Sequence, residues 1–142
     1  MTIASAPTPV HAFADRAWEA FLALNPLWAT APGDERWDDQ LGDPGPDGRA
    51  AELAMLDGWE SSLEELAAGE LTVEDAVTVD LVGIVIRRLR EAHRLRLWQM
   101  EAIDQYGGPQ ALIGDLARLQ RVDTPERFEN LLSRLAAYPG WM

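Results

Sequence analysis

The chain has 142 residues, 47% of them hydrophobic and 25% charged, with no cysteine and a formal net charge of −12. That is enough for one domain with its own core, and the composition is that of a globular protein rather than a disordered or fibrous one. Disulfides, cysteine zinc sites and thiol nucleophiles are excluded. The acidic balance also argues against nucleic acid or an anionic membrane as partner, because both require a concentrated basic face.

The charge is uneven: residues 1–80 hold 17 acidic side chains against three arginines, and residues 81–142 hold seven against nine. Every cation is Arg, which rules out a P-loop lysine. The opening MTIASAPTPV has no basic segment followed by an apolar run, and no later stretch reaches 18 uninterrupted apolar residues, so a cytoplasmic protein is expected.

Residues 1–8 read as a flexible lead-in to a helical domain over 9–142. The first helix is predicted from the Thr8-Pro9 cap to about Leu24, with Val10, Phe13, Ala17, Phe21 and Leu24 on its apolar face. Asn25-Pro26 interrupts it and can open one short extra turn. From Ala31 to Asp47 the chain is rich in Gly, Pro and Asp and reads as an acidic, solvated loop. Asp38 and Asp39 lie in it, without the oxygen spacing of a calcium loop.

A second helix is predicted over about Asp47 to Ala67, burying Ala51, Met55, Trp59, Leu63 and Leu66, with Glu52, Glu60, Glu64 and Glu65 facing water. Thr72 and Asp75 then form a capping-box variant ahead of the longest apolar pattern, Val73, Val77, Leu81, Ile84, Val85, Leu89, Ala92 and Leu95. Carried on to Met100, this helix would span roughly 43 Å and be the central, most enclosed element. Val82 and Ile86 widen its apolar arc. Its second half carries Arg87, Arg88, Arg90, Arg94 and Arg96, with Glu91 placed to pair with Arg87 and Arg94. These arginines face solvent or, in a sharper reading, the acidic loop or an acidic docking surface.

Gln105-Tyr106-Gly107-Gly108 reads as a turn before Pro109, which opens a helix through Ala111, Leu112, Leu116 and Leu119. Thr124-Pro125 repeats the cap-plus-proline start, and Phe128, Leu131, Leu132, Leu135 and Ala136 form the last apolar face before Tyr138-Pro139. Trp18, Trp28, Trp59 and Trp98 fall at apolar helical positions and are expected in the core. No stretch alternates as a half-buried strand does. The fold class is therefore all-α, about five helices with one long central helix and no sheet.

No catalytic or metal site is read from the residues. The two histidines, His11 and His93, do not form an H-E-x-x-H pair, and Ser5, Ser61, Ser62 and Ser133 lie in no nucleophile elbow. Gly107-Gly108 lacks the spacing of a nucleotide-binding loop.

Five segments in order carry a family resemblance: NPLWAT (25–30), GDERWDD (33–39), TVED (72–75) with Asp80-Leu81, QYGGPQ (105–110), and TPERFE (124–129) with Arg134-Leu135 and Tyr138-Pro139. Together they resemble the opening part of the domain of unknown function 885 family. That resemblance implies a longer, mostly helical protein similar to zinc-dependent metallopeptidases, its H-E-motif metal ligands downstream of the matched region. It places no ligand or general base in this chain, and zinc belongs by implication to the longer parent alone.

The expectation is a noncatalytic helical portion that docks to the remainder of a metallopeptidase-like protein and exposes a large apolar face when isolated. Arg36, Asp39, Gln105, Tyr106 and Gln110 are its candidate substrate-cleft contacts. The alternative is a freestanding helical interaction module that closes its own core or self-associates.

Overall fold

The computed structural model describes residues 7–100 and 109–141, and among them every regular element is helical. The helices are α1 (Pro9–Leu24), α2 (Pro26–Thr30), α3 (Pro46–Ala67), α4 (Val73–Arg94), α5 (Pro109–Leu119) and α6 (Pro125–Trp141), with single 3₁₀ turns at Glu35–Trp37 and Leu97–Gln99. Five of the six α-helices open on proline, whose fixed φ suits the first helical position and whose missing N–H is not needed there. The turn Gln105 to Gly108 lies outside the described residues.

Helices α1, α3 and α4 pack on one another around Phe13, Ala17, Leu56, Leu63 and Ile86. Their directions follow from polar contacts at the ends. Thr8, the N-cap of α1, donates its hydroxyl to Asp75 Oδ1 in the first turn of α4 (2.5 Å), so these two helices start side by side. At the other end Glu52, early in α3, lies 2.7 Å from His93 in the last turn of α4, which makes α3 antiparallel to both.

Asp75 is the knot of this arrangement. Its Oδ2 accepts from the Thr72 hydroxyl (2.8 Å) and the Thr72 amide, while its own amide donates to Thr72 Oγ1, completing the capping box. One buried carboxylate thus completes the cap of α4 and holds the capping hydroxyl of α1. The Thr8 and then the Thr72 hydroxyl hold the Asp75 carboxyl below its ordinary value, against the opposing effect of burial, and His11 at 3.6 Å adds to the lowering. A group with a depressed folded pKa contributes stability that is present above the unfolded carboxylate value, about 3.9, and lost as pH falls through the folded one. The gap in melting temperature between the parent and Asp75→Asn should therefore be widest near neutral pH and shrink below about pH 4. A gap unchanged down to about pH 2 in thermal scans would remove the charged cap from this account.

Three expectations about burial are corrected. Helix α4 is not the most enclosed element: its inward stripe is Asp75, Val79, Val82, Ile86, Leu89 and His93, and Val73, Val77, Leu81, Ile84 and Val85 lie exposed. It also ends at Arg94, six residues before Met100, because Arg96 takes a left-handed conformation (φ 53°) that a right-handed helix cannot continue. The Arg49 guanidinium of α3 sits 4.0 Å over the Trp98 ring and holds the turn that follows. On α3, Ala51 is exposed and Leu56 is buried instead, while Glu52 is half-buried against His93. Among the tryptophans expected in the core, Trp18, Trp28 and Trp98 are exposed and Trp59 is half-buried.

A second apolar cluster joins Leu41 of the acidic loop, Leu116 of α5 and Tyr138 of α6, with Leu27, Leu131 and Trp141 against it. Helix α6 continues through Pro139 to Trp141 rather than stopping before Tyr138-Pro139. Proline there deprives only the Leu135 carbonyl of its helical donor, near the end of the helix. Its inward stripe is Arg127, Leu131, Arg134, Tyr138 and Trp141, whereas Phe128, Leu132 and Ala136 face out.

Candidate functional site

The polar centre of the molecule lies beneath the acidic loop. Arg134 is fully buried (0% exposed), and its guanidinium donates from Nε to the Gln40 carbonyl (2.8 Å), from Nη2 to the Trp37 carbonyl (2.9 Å) and from Nη1 to Gln120 Oε1 (2.9 Å). Asp38, 2% exposed, lies 3.5 Å from Nη1 and accepts from the Thr30 hydroxyl (2.7 Å). Gln120 closes the ring by donating its amide to the Asp38 carbonyl (2.9 Å). The planar five-donor fork of arginine suits this task, since one side chain satisfies several backbone acceptors of a segment that makes few bonds of its own. Burial pulls the Arg134 pKa down, and the Asp38 and Asp39 carboxylates push it back up.

Elements on both sides aim these groups. Pro26 starts the short α2 that presents Thr30, and Gly42 lets the loop return, with φ +81° and no room for a Cβ beside the Leu24 carbonyl. At Gly48 a Cβ would overlap the Asp43 carbonyl oxygen, so the loop closes tightly onto the first turn of α3. Outside the buried ring, Arg127 clamps Glu35 through Nε (2.9 Å) and Nη2 (2.7 Å) and also pairs with Asp123. Arg127 and then Arg121 lower the Asp123 carboxyl to about 2. A cavity of about 160 Å³ beside the ring is lined by Thr30, Gly33, Glu35, Asp38, Leu119 and Arg121, among others.

This placement overturns the reading of Asp38 as part of a solvated loop. Arg121, Arg127 and Arg134 reach the acidic segment, as does Arg49 of α3 at the Pro44 carbonyl, whereas on α4 Arg90 bonds Asp57 and Glu60 of α3 and Arg94 bonds Glu91. Gln120, the residue that follows α5, is buried, and Leu119 is exposed.

Of the candidate cleft residues, Arg36 is engaged bidentately by Glu19 of α1 (2.8 and 3.0 Å) and by Asp34, whose carboxyl it lowers. Asp39 is exposed and is not brought to Arg36. Gln110 lies in the first turn of α5, and Gln105 and Tyr106 lie outside the described residues. Arg134, Asp38, Gln120 and Thr30, which organise the site, were missed. The one available signal was spacing: Arg134 stands four residues before Tyr138 and three after Leu131, on the same helical face.

The ring is a clamp: its donors and acceptors are engaged with one another, and among the described residues no nucleophile is aligned with a base. Zinc, implied by the resemblance for the longer parent, does not fit these residues: among the described ones no group of three His, Asp or Glu side chains could hold a metal, and His11 and His93 stand at opposite ends of α4. No described helix is long and apolar enough to cross a membrane.

No curated protein and no solved structure matches the chain. A family model described as "Bacterial protein of unknown function (DUF885)" matches residues 26–142, a span that holds every residue of the Arg134 ring but begins after α1. The match covers well over half of the sequence, and the chain belongs to the DUF885 family.

Proposed function

We propose that this chain is a noncatalytic helical portion of a metallopeptidase-like, cytoplasmic DUF885 protein, and that it docks to the remainder, which carries the catalytic chemistry. The observation that carries this reading is the outer side of α4, where Val77, Leu81, Ile84 and Val85 lie exposed at spacings of four, three and one residues. That band runs along a helix whose other side already packs on α1 and α3. A contiguous apolar band of this kind is a candidate contact surface. In this reading Arg36 and Asp39, with Gln105, Tyr106 and Gln110, border a cleft that the remainder completes.

A freestanding interaction module is the second reading, favoured by the two apolar clusters that the chain closes by itself. Sedimentation of the isolated chain over a concentration series, with an apolar-surface dye, separates the two. Docking predicts strong dye binding or self-association that grows with concentration. A compact, dye-silent monomer would sink it and leave the self-sufficient module.

A further inference from the structure

An open groove of about 1210 Å³ runs along the C-terminal half of α4, its floor made by Phe21, Ile84, Val85, Leu89, Ala92 and Leu97. From Ile84 to Arg94 it follows roughly 15 Å, about three helical turns, before Leu97 of the next turn closes it. Trp18 stacks on Phe21 (5.6 Å between ring centres), and Trp28, 64% exposed, meets Phe21 edge-on, so an aromatic row continues the floor onto α1 and α2.

The rim is basic although the chain as a whole is acidic. Arg90 and Arg94 are neutralised by Asp57, Glu60 and Glu91. Arg87 and Arg88 are exposed, line the groove and form no ion pair among the described residues. Two guanidinium groups that no carboxylate among the described residues pairs, set beside an apolar floor, favour a partner that brings both apolar anchors and carboxylates.

We propose that this groove receives an amphipathic helix with an apolar stripe and acidic flanks, a helix-in-groove contact read by anchors three and four residues apart. The inference rests on the docking reading and names its surface and partner chemistry. An anionic membrane is disfavoured because Arg87 and Arg88 alone fall short of the cluster of about four to eight cations that recognises such a surface. The acidic α3 of a second copy is disfavoured because its outer side exposes Leu53 alone among large hydrophobic residues, which is too little for a stripe.

The test uses the full chain and two fluorescent designed peptides with the same leucine stripe, one flanked by Glu and one by Lys, followed by anisotropy. The Glu peptide should bind at least about tenfold tighter than the Lys peptide. Arg87→Glu with Arg88→Glu should abolish or invert that preference, and Ile84→Asp should weaken both peptides, each variant retaining the parent's circular dichroism. Equal affinity for the two peptides, no binding up to about 1 mM, or a preference untouched by the arginine reversals would overturn the proposal. Preferential binding to phosphatidylglycerol vesicles, or dimerisation lost in Ile84→Asp, would assign the groove to a membrane or to a second copy and overturn it as well. Strong dye binding without peptide selection would leave the docking reading standing and remove the acidic helix, whereas a dye-silent monomer removes the docking reading itself.

Discussion

Replacing Arg134 with alanine is expected to cost roughly 3–5 kcal/mol, a large share of the stability of a domain this size. The truncation strands the Gln40 and Trp37 carbonyls and the Gln120 side chain, and it leaves Asp38 as a buried carboxylate without its cation. The loss of packing is the smaller part, since buried groups deprived of their partners account for most of such penalties. Urea denaturation checks the size. Arg134→Met paired with Asp38→Asn checks the cause, because removing both charges should recover part of what Arg134→Ala loses. A cost for Arg134→Ala below about 1 kcal/mol would mean that water replaces the guanidinium and that the loop does not depend on it.

Leu56→Ala should cost roughly 2–5 kcal/mol, and Leu81→Ala no more than about 0.5 kcal/mol. Leu56 has no exposed surface and sits among Phe13, Ala17, Leu63 and Ile86, so its deletion leaves a cavity between three helices. Leu81 is 58% exposed on the outer side of α4. The contrast is informative because periodicity alone ranks the two the other way: Leu81 belongs to the apolar pattern of α4, and Leu56 lies beside the pattern assigned to α3. Equal costs in thermal or urea denaturation would show that the outer side of α4 is covered in the free chain, which would also undercut the docking reading.

If the Arg134 ring is a clamp, its loss and the loss of the groove should be separable. The ring ties α6 and the end of α5 to the loop after α2, whereas the groove lies between α1 and α4. Variants in one should leave the other's readout unchanged, as expected of sites that share no partners.

The helix boundaries were legible from local chemistry. Proline at a first position, a Thr or Asp beside it and a glycine-rich acidic stretch between helices act through the backbone of a few neighbouring residues, and five helix starts follow from them. Two ends are exceptions: α4 stops at Arg94, ahead of the left-handed Arg96, with neither Gly nor Pro to mark it, and α6 runs through Pro139 to Trp141.

The choice of buried face was not legible, for one recurring reason. On α4 apolar residues occupy two adjacent stripes, and the one that packs is bounded by Asp75 and His93, polar residues that periodicity assigns to water. On α6 the inward positions include Arg127 and Arg134, and the outward ones include Phe128 and Leu132. A polar or charged side chain can face inward only when other segments bring it partners: Thr8 for Asp75, Glu52 for His93, the loop carbonyls and Asp38 for Arg134. Those partners lie 41 to 97 residues away. Composition and local spacing therefore determined that this chain is helical, acidic and equipped for its turns. Tertiary structure decided which sides of the helices close, that Asp38 and Arg134 are internal, and which apolar band remains open, because desolvation of a charge depends on what the rest of the chain brings to it.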